Sequence, residues 1–121
     1  MANTNYKTIA SKIKFEGRAF INGKYVDAID GAKFETINPA TGETLCSVAK
    51  CNSKDVDLAV KVSRKAFNSG VWSRTSPEFR KDVLLKFAEL LRTHGVENSV
   101  LECIDTGKLI GDCINEVAND A

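Results

Sequence analysis

The chain has 121 residues, of which 43% are hydrophobic and 27% charged, a balance typical of one folded domain rather than a disordered segment. Seventeen basic and sixteen acidic residues leave a net charge of +1. They form no basic or acidic block, so neither a nucleic-acid surface nor a polybasic membrane patch is expected.

Residues 1–17 are polar and carry no regular pattern, which predicts a loose N-terminal arm ahead of a structured region over residues 18–121. No apolar run approaches the ~20 residues of a membrane span, so no membrane partner is expected. The N-terminal residues also lack an apolar stretch of signal-peptide type, which predicts a cytoplasmic protein.

Short strands are predicted in the first half of the chain. An Asn22-Gly23 pair lies between two apolar runs within Phe20–Val26, and both turn positions of a type I′ hairpin need positive φ, which these residues tolerate. Further strands are predicted over Phe34–Ile37 and Thr44–Val48, separated by a turn at Asn38–Gly42.

From residue 52 the apolar residues recur at helical spacing. The first predicted helix starts at a cap formed by Asn52 or Ser53, and Gly70 suits its end. Asp55 and Asp57 suit the positive end of the helix dipole. The apolar face of this helix comprises Val56, Ala59, Val60, Ser63, Ala66 and Phe67.

A second helix is predicted to start at Ser76-Pro77, with serine as the cap and proline at the first helical position. Gly95 is predicted to end it. Its apolar stripe comprises Phe79, Val83, Leu84, Phe87, Ala88 and Leu91.

A shorter helix, which carries Val100, Leu101 and Ile104, is predicted to stop near Gly107. The final segment again has helical spacing and ends at Ala121 without a glycine, a proline or a basic last turn. On this pattern a truncated protein and a natural frayed C-terminus are equally compatible with the sequence. The apolar residues of the final segment are Ile110, Cys113, Ile114, Val117 and Ala118.

Signatures of several enzyme classes are missing from the sequence. There is no G-x-G-x-x-G, H-E-x-x-H or G-x-S-x-G, and Gly107-Lys108 lacks the Ser or Thr and the earlier glycine of a phosphate loop. His94 follows a long helix and precedes a glycine, so a cation at a helix C-terminus is favoured over a general base.

The four cysteines are expected to be free thiols, because a cytoplasmic protein lies in a reducing compartment. They are Cys46, Cys51, Cys103 and Cys113. Without a C-x-x-C pair a zinc site is disfavoured, and burial is the favoured interpretation for all except Cys51, which precedes a helix start. The residues themselves therefore predict an α+β domain without an identifiable catalytic set.

Five segments, in order and with compatible spacing, resemble the N-terminal part of the aldehyde dehydrogenase family. They are the hairpin Phe20–Val26, the N-P-x-T-G-E segment within Phe34–Glu43, the helix Asp55–Phe67, Trp72 with the helix Ser76–Leu91, and the E-x-x-D-x-G-K segment Glu102–Lys108. The γ-glutamyl-γ-aminobutyraldehyde and betaine aldehyde dehydrogenase-like group is the nearest in likeness. Leu109 departs from the pattern, because the family usually has proline after G-K.

The resemblance implies an α/β parent with a Rossmann-like cofactor domain, a catalytic domain and an oligomerising β-arm. Residues 18–121 would be the incomplete N-terminal part of the cofactor domain: a β-hairpin and short strands, then amphipathic helices. The implied activity is NAD- or NADP-dependent oxidation of a small-molecule aldehyde to a carboxylic acid by a homo-oligomer.

The family's catalytic cysteine, general-base glutamate, oxyanion-hole asparagine and cofactor contacts lie later in its chain. None of the four cysteines stands in the catalytic-cysteine motif. This stretch is therefore expected to be scaffold only, without catalytic or cofactor-binding residues, and inactive alone. The alternative is a stand-alone, non-catalytic interaction module derived from the same fold.

The resemblance also implies part of a monovalent-cation site. Many family members bind such a cation between the N-P-x-T-G-E and E-x-x-D-x-G-K segments. Carried over, the ligands are the backbone oxygens of Thr36 and Ile37 and the carboxylate of Asp105, and oxygen ligands suit hard cations. The alternative is that Asp105 caps the turn at Gly107.

Overall fold

The structure, a computed structural model, describes residues 4–120, with side chains through Val117. The chain divides into two units. The first comprises the described residues of Met1–Phe15, Ile37–Leu45 and Asp82–Ala121, and the second comprises Glu16–Thr36 and Cys46–Lys81. Among the described residues, no helix combines the length and the hydropathy that a membrane crossing requires.

The chain forms five helices and four strands over these residues. In order they are α1 (Tyr6–Ala10), β1 (Ala19–Ile21), β2 (Lys24–Val26), β3 (Lys33–Ile37), β4 (Thr44–Ala49), α2 (Ser53–Ser69), α3 (Pro77–Thr93), α4 (Gly95–Thr106) and α5 (Ile110–Asp120). The strands pair as β1 with β2 and β3 with β4. The predicted α+β character is confirmed.

The predicted hairpin is confirmed in the second unit. β1 and β2 are antiparallel, with Phe20 opposite Tyr25. Asn22 and Gly23 have φ values of 56° and 76°, the two positive values that a type I′ turn requires. The Phe20 and Tyr25 rings meet edge to face with centroids 5.1 Å apart, which adds a cross-strand contact to a very short ladder.

Gly17 brings the segment before β1 against β4. Its carbonyl oxygen accepts a 2.7 Å hydrogen bond from the amide of Ala49. A Cβ atom at position 17 would overlap the carbonyl oxygen of Ser47. The approach of the two backbones therefore requires glycine at this position.

The start of α2 is fixed by a capping box. The Asn52 side chain accepts a hydrogen bond from the amide of Lys54 at 2.8 Å, and Oδ2 of Asp55 accepts one from the amide of Asn52 at 2.8 Å. Of the two predicted candidates, Asn52 and not Ser53 is therefore the cap. Gly70, with φ of 82°, ends the helix as predicted.

Asp55 also holds the segment after the hairpin. It is only 2% exposed, and its Oδ1 accepts a 2.8 Å hydrogen bond from the amide of Ile29. Both carboxylate oxygens are thus satisfied by backbone donors, as burial of a carboxylate demands. The neighbouring Asp30 accepts a 2.8 Å hydrogen bond from the Asn52 amide group, which ties the same segment to the cap.

The predicted apolar face of α2 lies at the surface of this chain. Val56, Val60 and Phe67 are 57%, 60% and 58% exposed. The covered side of α2 is the one that carries Asp55 and Val62, which line a cavity of about 290 Å³ together with hairpin residues. The periodicity thus identified a helix correctly but not the side that packs within the chain.

The predicted cap of α3 is confirmed, since Ser76 Oγ accepts a hydrogen bond from the amide of Phe79 at 3.2 Å. The role predicted for Gly95 is wrong. α3 ends at Thr93, and Gly95 is the first residue of α4, because the His94 carbonyl already accepts the amide of Asn98 and starts the next helix. His94 lies at this junction, 3.4 Å from a Glu97 carboxylate oxygen.

The first unit has a small buried centre where α4 packs on α5. Val100, Ser99 and Cys113 are 2%, 1% and 0% exposed. The Ser99 hydroxyl donates to the Gly95 carbonyl at 2.7 Å and lies 3.2 Å from the Cys113 carbonyl oxygen. Ala118 and Ala121 of the predicted final segment lie outside the described side chains.

A helix lies within the arm that was predicted to be loose. α1 (Tyr6–Ala10) is capped by Asn5, whose side chain accepts the amide of Thr8 at 3.1 Å, and it packs against α4. For residues 4–17 the expectation of an unpatterned, loose arm is corrected here, whereas residues 1–3 lie outside the described residues. Ile9 and Ile13, four residues apart and both half-buried, are the apolar signal that it overlooked.

Candidate functional site

Two of the segments singled out in the sequence meet in the first unit. An ideal Cβ atom on Gly107 would lie 2.8 Å from Cγ of Pro39. Gly107 has φ of 76° and ends α4. The absence of a side chain therefore serves both the left-handed backbone and the close approach of the proline ring.

The Pro39 side of this contact is a tight turn between β3 and β4. Asn38 organises it: its amide donates to the Glu43 carbonyl at 2.9 Å, and its carbonyl accepts the amide of Gly42 at 2.8 Å. The Asn38 side chain accepts the amide of Ala40 at 2.9 Å. Gly42 has φ of 75°, so the turn predicted at Asn38–Gly42 is confirmed.

The Gly107 side is the last turn of α4. The Gly107 amide donates to the Cys103 carbonyl at 2.9 Å. The amide of Lys108 donates to Thr106 Oγ1 at 3.3 Å, and that hydroxyl donates to the Glu102 carbonyl at 2.7 Å. The two backbone amides that follow α4 thus have acceptors within the turn itself.

The Lys108 side chain joins the ends of two helices. Its Nζ lies 2.8 Å from Glu102 Oε1 on α4 and 2.7 Å from Glu116 Oε2 on α5. Hydrogen bonds to Glu102 and then Glu116 raise the pKa of Lys108, and the hydrogen bond from Lys108 lowers the pKa of Glu116. Sequence reasoning selected Glu102 and Lys108 but missed Glu116, which carries no motif signal of its own.

Leu109 stands where the family pattern has proline, and its side chain is 74% exposed. Its carbonyl accepts the amides of Asp112 and Cys113 at 3.0 and 3.2 Å. The chain therefore turns into α5 directly after Lys108.

The three predicted cation ligands lie at the ends of two elements. Thr36 and Ile37 are the last residues of β3, where Thr36 is half-buried and Ile37 is exposed. Asp105 is exposed in the last turn of α4. Within residues 4–120, no group of three or more His, Cys, Asp or Glu side chains is arranged to hold a metal ion.

All four cysteines are free, and they differ in exposure. Cys113 is completely buried, and desolvation raises the pKa of its thiol, which disfavours the reactive thiolate. Cys46 and Cys103 are half-buried, and Cys51 is exposed. The predicted buried character thus holds fully for Cys113 and partly for Cys46 and Cys103.

Comparison with known proteins gives a consistent result. The sequence model of the Aldehyde dehydrogenase family matches residues 25–121. Aldehyde dehydrogenase 1 of Tanacetum cinerariifolium is 53% identical over 107 residues, which are 88% of this chain and 21% of that protein. The chain spans about a fifth of the length of the curated relatives it matches.

Two solved structures illustrate the likeness in fold. The γ-glutamyl-γ-aminobutyraldehyde dehydrogenase of Burkholderia cenocepacia J2315 superposes with a TM-score of 0.88 at 44% identity, over 90% of this chain and 22% of that one. A mutant of the AldA indole-3-acetaldehyde dehydrogenase of P. syringae, in complex with NAD+ and IAA, gives a TM-score of 0.88 at 42% identity, over 90% and 22%.

Proposed function

The chain belongs to the aldehyde dehydrogenase family, and from that premise we propose that it is the N-terminal scaffold of an enzyme that oxidises an aldehyde to a carboxylic acid with NAD or NADP. The observation that carries the proposal is the family match over residues 25–121. The contact of Gly107 with Pro39 supports it, because it joins two segments that resemble the family's motifs.

This stretch contributes structure rather than catalysis. A thiol nucleophile needs a lowered pKa and a nearby base or cation. The thiol of Cys113 has the opposite properties, since it is buried with a raised pKa. We assign the nucleophile, the general base and the oxyanion donors to sequence that lies beyond this stretch in the longer relatives.

The nicotinamide cofactor is likewise assigned to other parts of the enzyme. Its role is to accept the hydride from the bound aldehyde carbon. The residues of this chain do not fit it, because they contain neither G-x-G-x-x-G nor another glycine-rich turn that opens a helix. The P. syringae structure with bound NAD+ supports a nicotinamide cofactor in the family fold.

The substrate is proposed to be a small aldehyde, with γ-glutamyl-γ-aminobutyraldehyde and indole-3-acetaldehyde as the first compounds to test. The two dehydrogenases named for these substrates are 44% and 42% identical to this chain. Sequence identity over this stretch therefore does not favour one substrate over the other. We further propose a cytoplasmic homo-oligomer. The four unpaired cysteines are compatible with a reducing compartment.

A monovalent cation bound by the backbone oxygens of Thr36 and Ile37 and the carboxylate of Asp105 is part of the proposal. Its support is the contact between Pro39 and Gly107 in the first unit. These residues lie two positions after Ile37 and Asp105, so the contact brings the two segments together. The rival role for Asp105 is to cap the Gly107 turn, in which the amides of Gly107 and Lys108 donate to the Cys103 carbonyl and to Thr106 Oγ1.

Two measurements test the proposed function. Mass spectrometry of the protein isolated from its own cells is expected to give a mass several times 13.2 kDa, the mass of these residues. That protein is expected to form NADH or NADPH from an aldehyde. Native protein near 13.2 kDa without such activity would instead support the stand-alone module.

Residues 1–121 serve as the control, and they are expected to show no turnover. Activity that survives purification and is abolished by substitution of one of the four cysteines would contradict the scaffold assignment.

A further inference from the structure

The turn of the β1–β2 hairpin contains a reactive dipeptide that the proposed function does not use. We propose that Asn22 is a site of spontaneous deamidation, in which the backbone nitrogen of Gly23 attacks the side-chain carbonyl carbon of Asn22. Asparagine is a chemically labile residue, and its reaction depends on the residue that follows it, because that residue supplies the nucleophile.

The reaction needs only water and a general base from solvent. The Gly23 nitrogen loses its proton and forms a bond to Cγ of Asn22, and the bond from Cγ to the side-chain nitrogen breaks to release ammonia. Water then opens the resulting cyclic imide at either carbonyl. One product is aspartate, and the other is isoaspartate, in which the main chain runs through the former side chain.

The local structure leaves both reacting groups accessible. Asn22 and Gly23 are exposed, and a Cβ atom built on Gly23 meets no atom within 4 Å. Among the described residues, neither the Asn22 side chain nor the Gly23 amide has a hydrogen-bond partner. Because the hairpin has only three residues in each strand, its turn opens readily to the cyclising geometry.

Two other asparagines among the described residues lack this combination. The carboxamide of Asn52 is held at both ends, since it accepts from Lys54 and donates to Asp30, both at 2.8 Å. Asn38 precedes Pro39, whose nitrogen carries no hydrogen and cannot act as the nucleophile. Asn22 is therefore the preferred position.

Modification would change the hairpin chemically and geometrically. Both products add one negative charge beside Lys24. The isoaspartate product also adds a methylene group to the main chain of a two-residue turn. That insertion is incompatible with the observed register, in which Ile21 lies opposite Lys24.

Peptide mapping by mass spectrometry tests the proposal on the purified native protein. The protein is aged at mildly alkaline pH, digested, and analysed for conversion of amide to acid and for isoaspartate. The peptide with Asn22 is expected to convert first and to contain isoaspartate, ahead of the exposed Asn68 and Asn98, each of which precedes serine. Faster conversion of Asn68 or Asn98, or an intact Asn22, overturns the proposal.

A Gly23→Ala variant provides a second measurement. Its methyl group hinders attack by the backbone nitrogen, so conversion at Asn22 is expected to slow markedly while conversion at Asn68 is unchanged. Equal conversion at Asn22 in both proteins overturns the cyclisation route. Asn22 and Asn68 are compared in the same digest, so a general change in folding would show itself at both positions. Alanine is strained at the positive φ of position 23, and any resulting local loosening of the turn would speed conversion at Asn22, which is opposite to the expected slowing.

Discussion

Oδ1 of Asp55 accepts a 2.8 Å hydrogen bond from the backbone amide of Ile29, twenty-six residues earlier in the chain. The other carboxylate oxygen accepts the amide of Asn52 at 2.8 Å. One buried side chain therefore closes the N-terminus of α2 and anchors the segment that follows the hairpin. Its removal affects both features at once.

Asp55→Ala is expected to destabilise the native protein by roughly 2–4 kcal/mol, because two part-buried backbone amides lose their acceptor. Asp55→Asn keeps one acceptor and is expected to cost about half as much. Asp57→Ala, at an exposed position of the same helical turn, is the matched control and should change stability by less than about 0.5 kcal/mol. Urea unfolding measures all three, and equal effects of Asp55→Ala and Asp57→Ala would contradict the double anchoring.

Gly107→Ala is expected to destabilise by roughly 2–4 kcal/mol, because it adds a steric clash with Pro39 to the cost of a positive φ. Gly42→Ala is the matched control. Gly42 has almost the same φ, 75° against 76°, but no atom lies within 4 Å of its built Cβ. Its expected cost is about 1 kcal/mol, which represents backbone strain alone.

The double variant with Pro39→Ala separates the two effects at Gly107. Removal of the Pro39 ring should restore the part of the free energy of unfolding that the clash costs. The cost of the backbone strain at position 107 should remain. If Gly107→Ala and Gly42→Ala cost the same, the contact with Pro39 is not close in solution.

The ion triad of Lys108, Glu102 and Glu116 is expected to make stability depend on pH. The folded-state pKa of Glu116 lies below its ordinary value of 4.5. Its contribution is therefore complete above pH 4.5 and is lost as the pH falls through the folded value. The pKa of Lys108 is raised from 10.5, so its contribution is complete below pH 10.5 and is lost only as the pH rises further.

Lys108→Met should reduce the loss of stability between neutral pH and pH 3. Added salt should lower the free energy of unfolding of the wild-type protein more than that of the variant. Lys86→Met, which removes the exposed pair with Glu89, is the control. Urea midpoints across pH measure the effect. Parallel acid limbs in the wild type and Lys108→Met would show that the triad does not stabilise the packing of α4 on α5.

Asp105→Ala is expected to reduce the gain in melting temperature that potassium or sodium gives over a bulky organic cation in the native protein. Ligand binding to the folded state raises stability with the logarithm of concentration, so the response itself reports the site. Asp112→Ala removes an acidic side chain from α5 and so controls for the change in net charge. An identical cation response in the wild type and Asp105→Ala would favour a role in capping.

Residues 1–121 expressed alone are expected to be loosely packed or self-associating. Apolar side chains on α2 and α3 are exposed, among them Val60 at 60%, Phe79 at 51% and Phe87 at 57%. Each large side chain left uncovered forgoes roughly 1.5–3 kcal/mol, whereas a whole domain is stable by only about 5–15 kcal/mol. Size-exclusion chromatography and calorimetry test this; a monomer with one sharp transition and no binding of hydrophobic dyes would contradict it.

Local signals predicted the ends of elements well. Asn22-Gly23 specified the hairpin turn, Ser76 specified the start of α3, and Gly70 and Gly107 specified two helix ends, because each residue acts on backbone within a few positions of itself. The prediction that Gly95 ends α3 was wrong for the same reason, because it rested on neighbouring residues alone. A glycine after a helix resembles a terminator unless the next helix, which starts at that residue, is taken into account.

Relationships between distant residues could not be predicted from pattern. The hydrogen bonds that Ile29 donates to Asp55 and Lys108 donates to Glu116 depend on how the elements pack, which helical periodicity does not report. The apolar stripe of α2 is the clearest case. Hydropathy placed Val56 and Phe67 on one face correctly, but which face the rest of this chain covers was decided by Asp55 and the hairpin.

Gly17 sets a limit on what mutation can do to this gene. Each missense change that one nucleotide substitution can make in a glycine codon introduces a Cβ atom, and the carbonyl of Ser47 leaves no space for it. Every missense allele of the codon therefore forces the backbone at Gly17 and Ser47 to move apart. At Gly31, by contrast, open space leaves only the conformational cost of a positive φ.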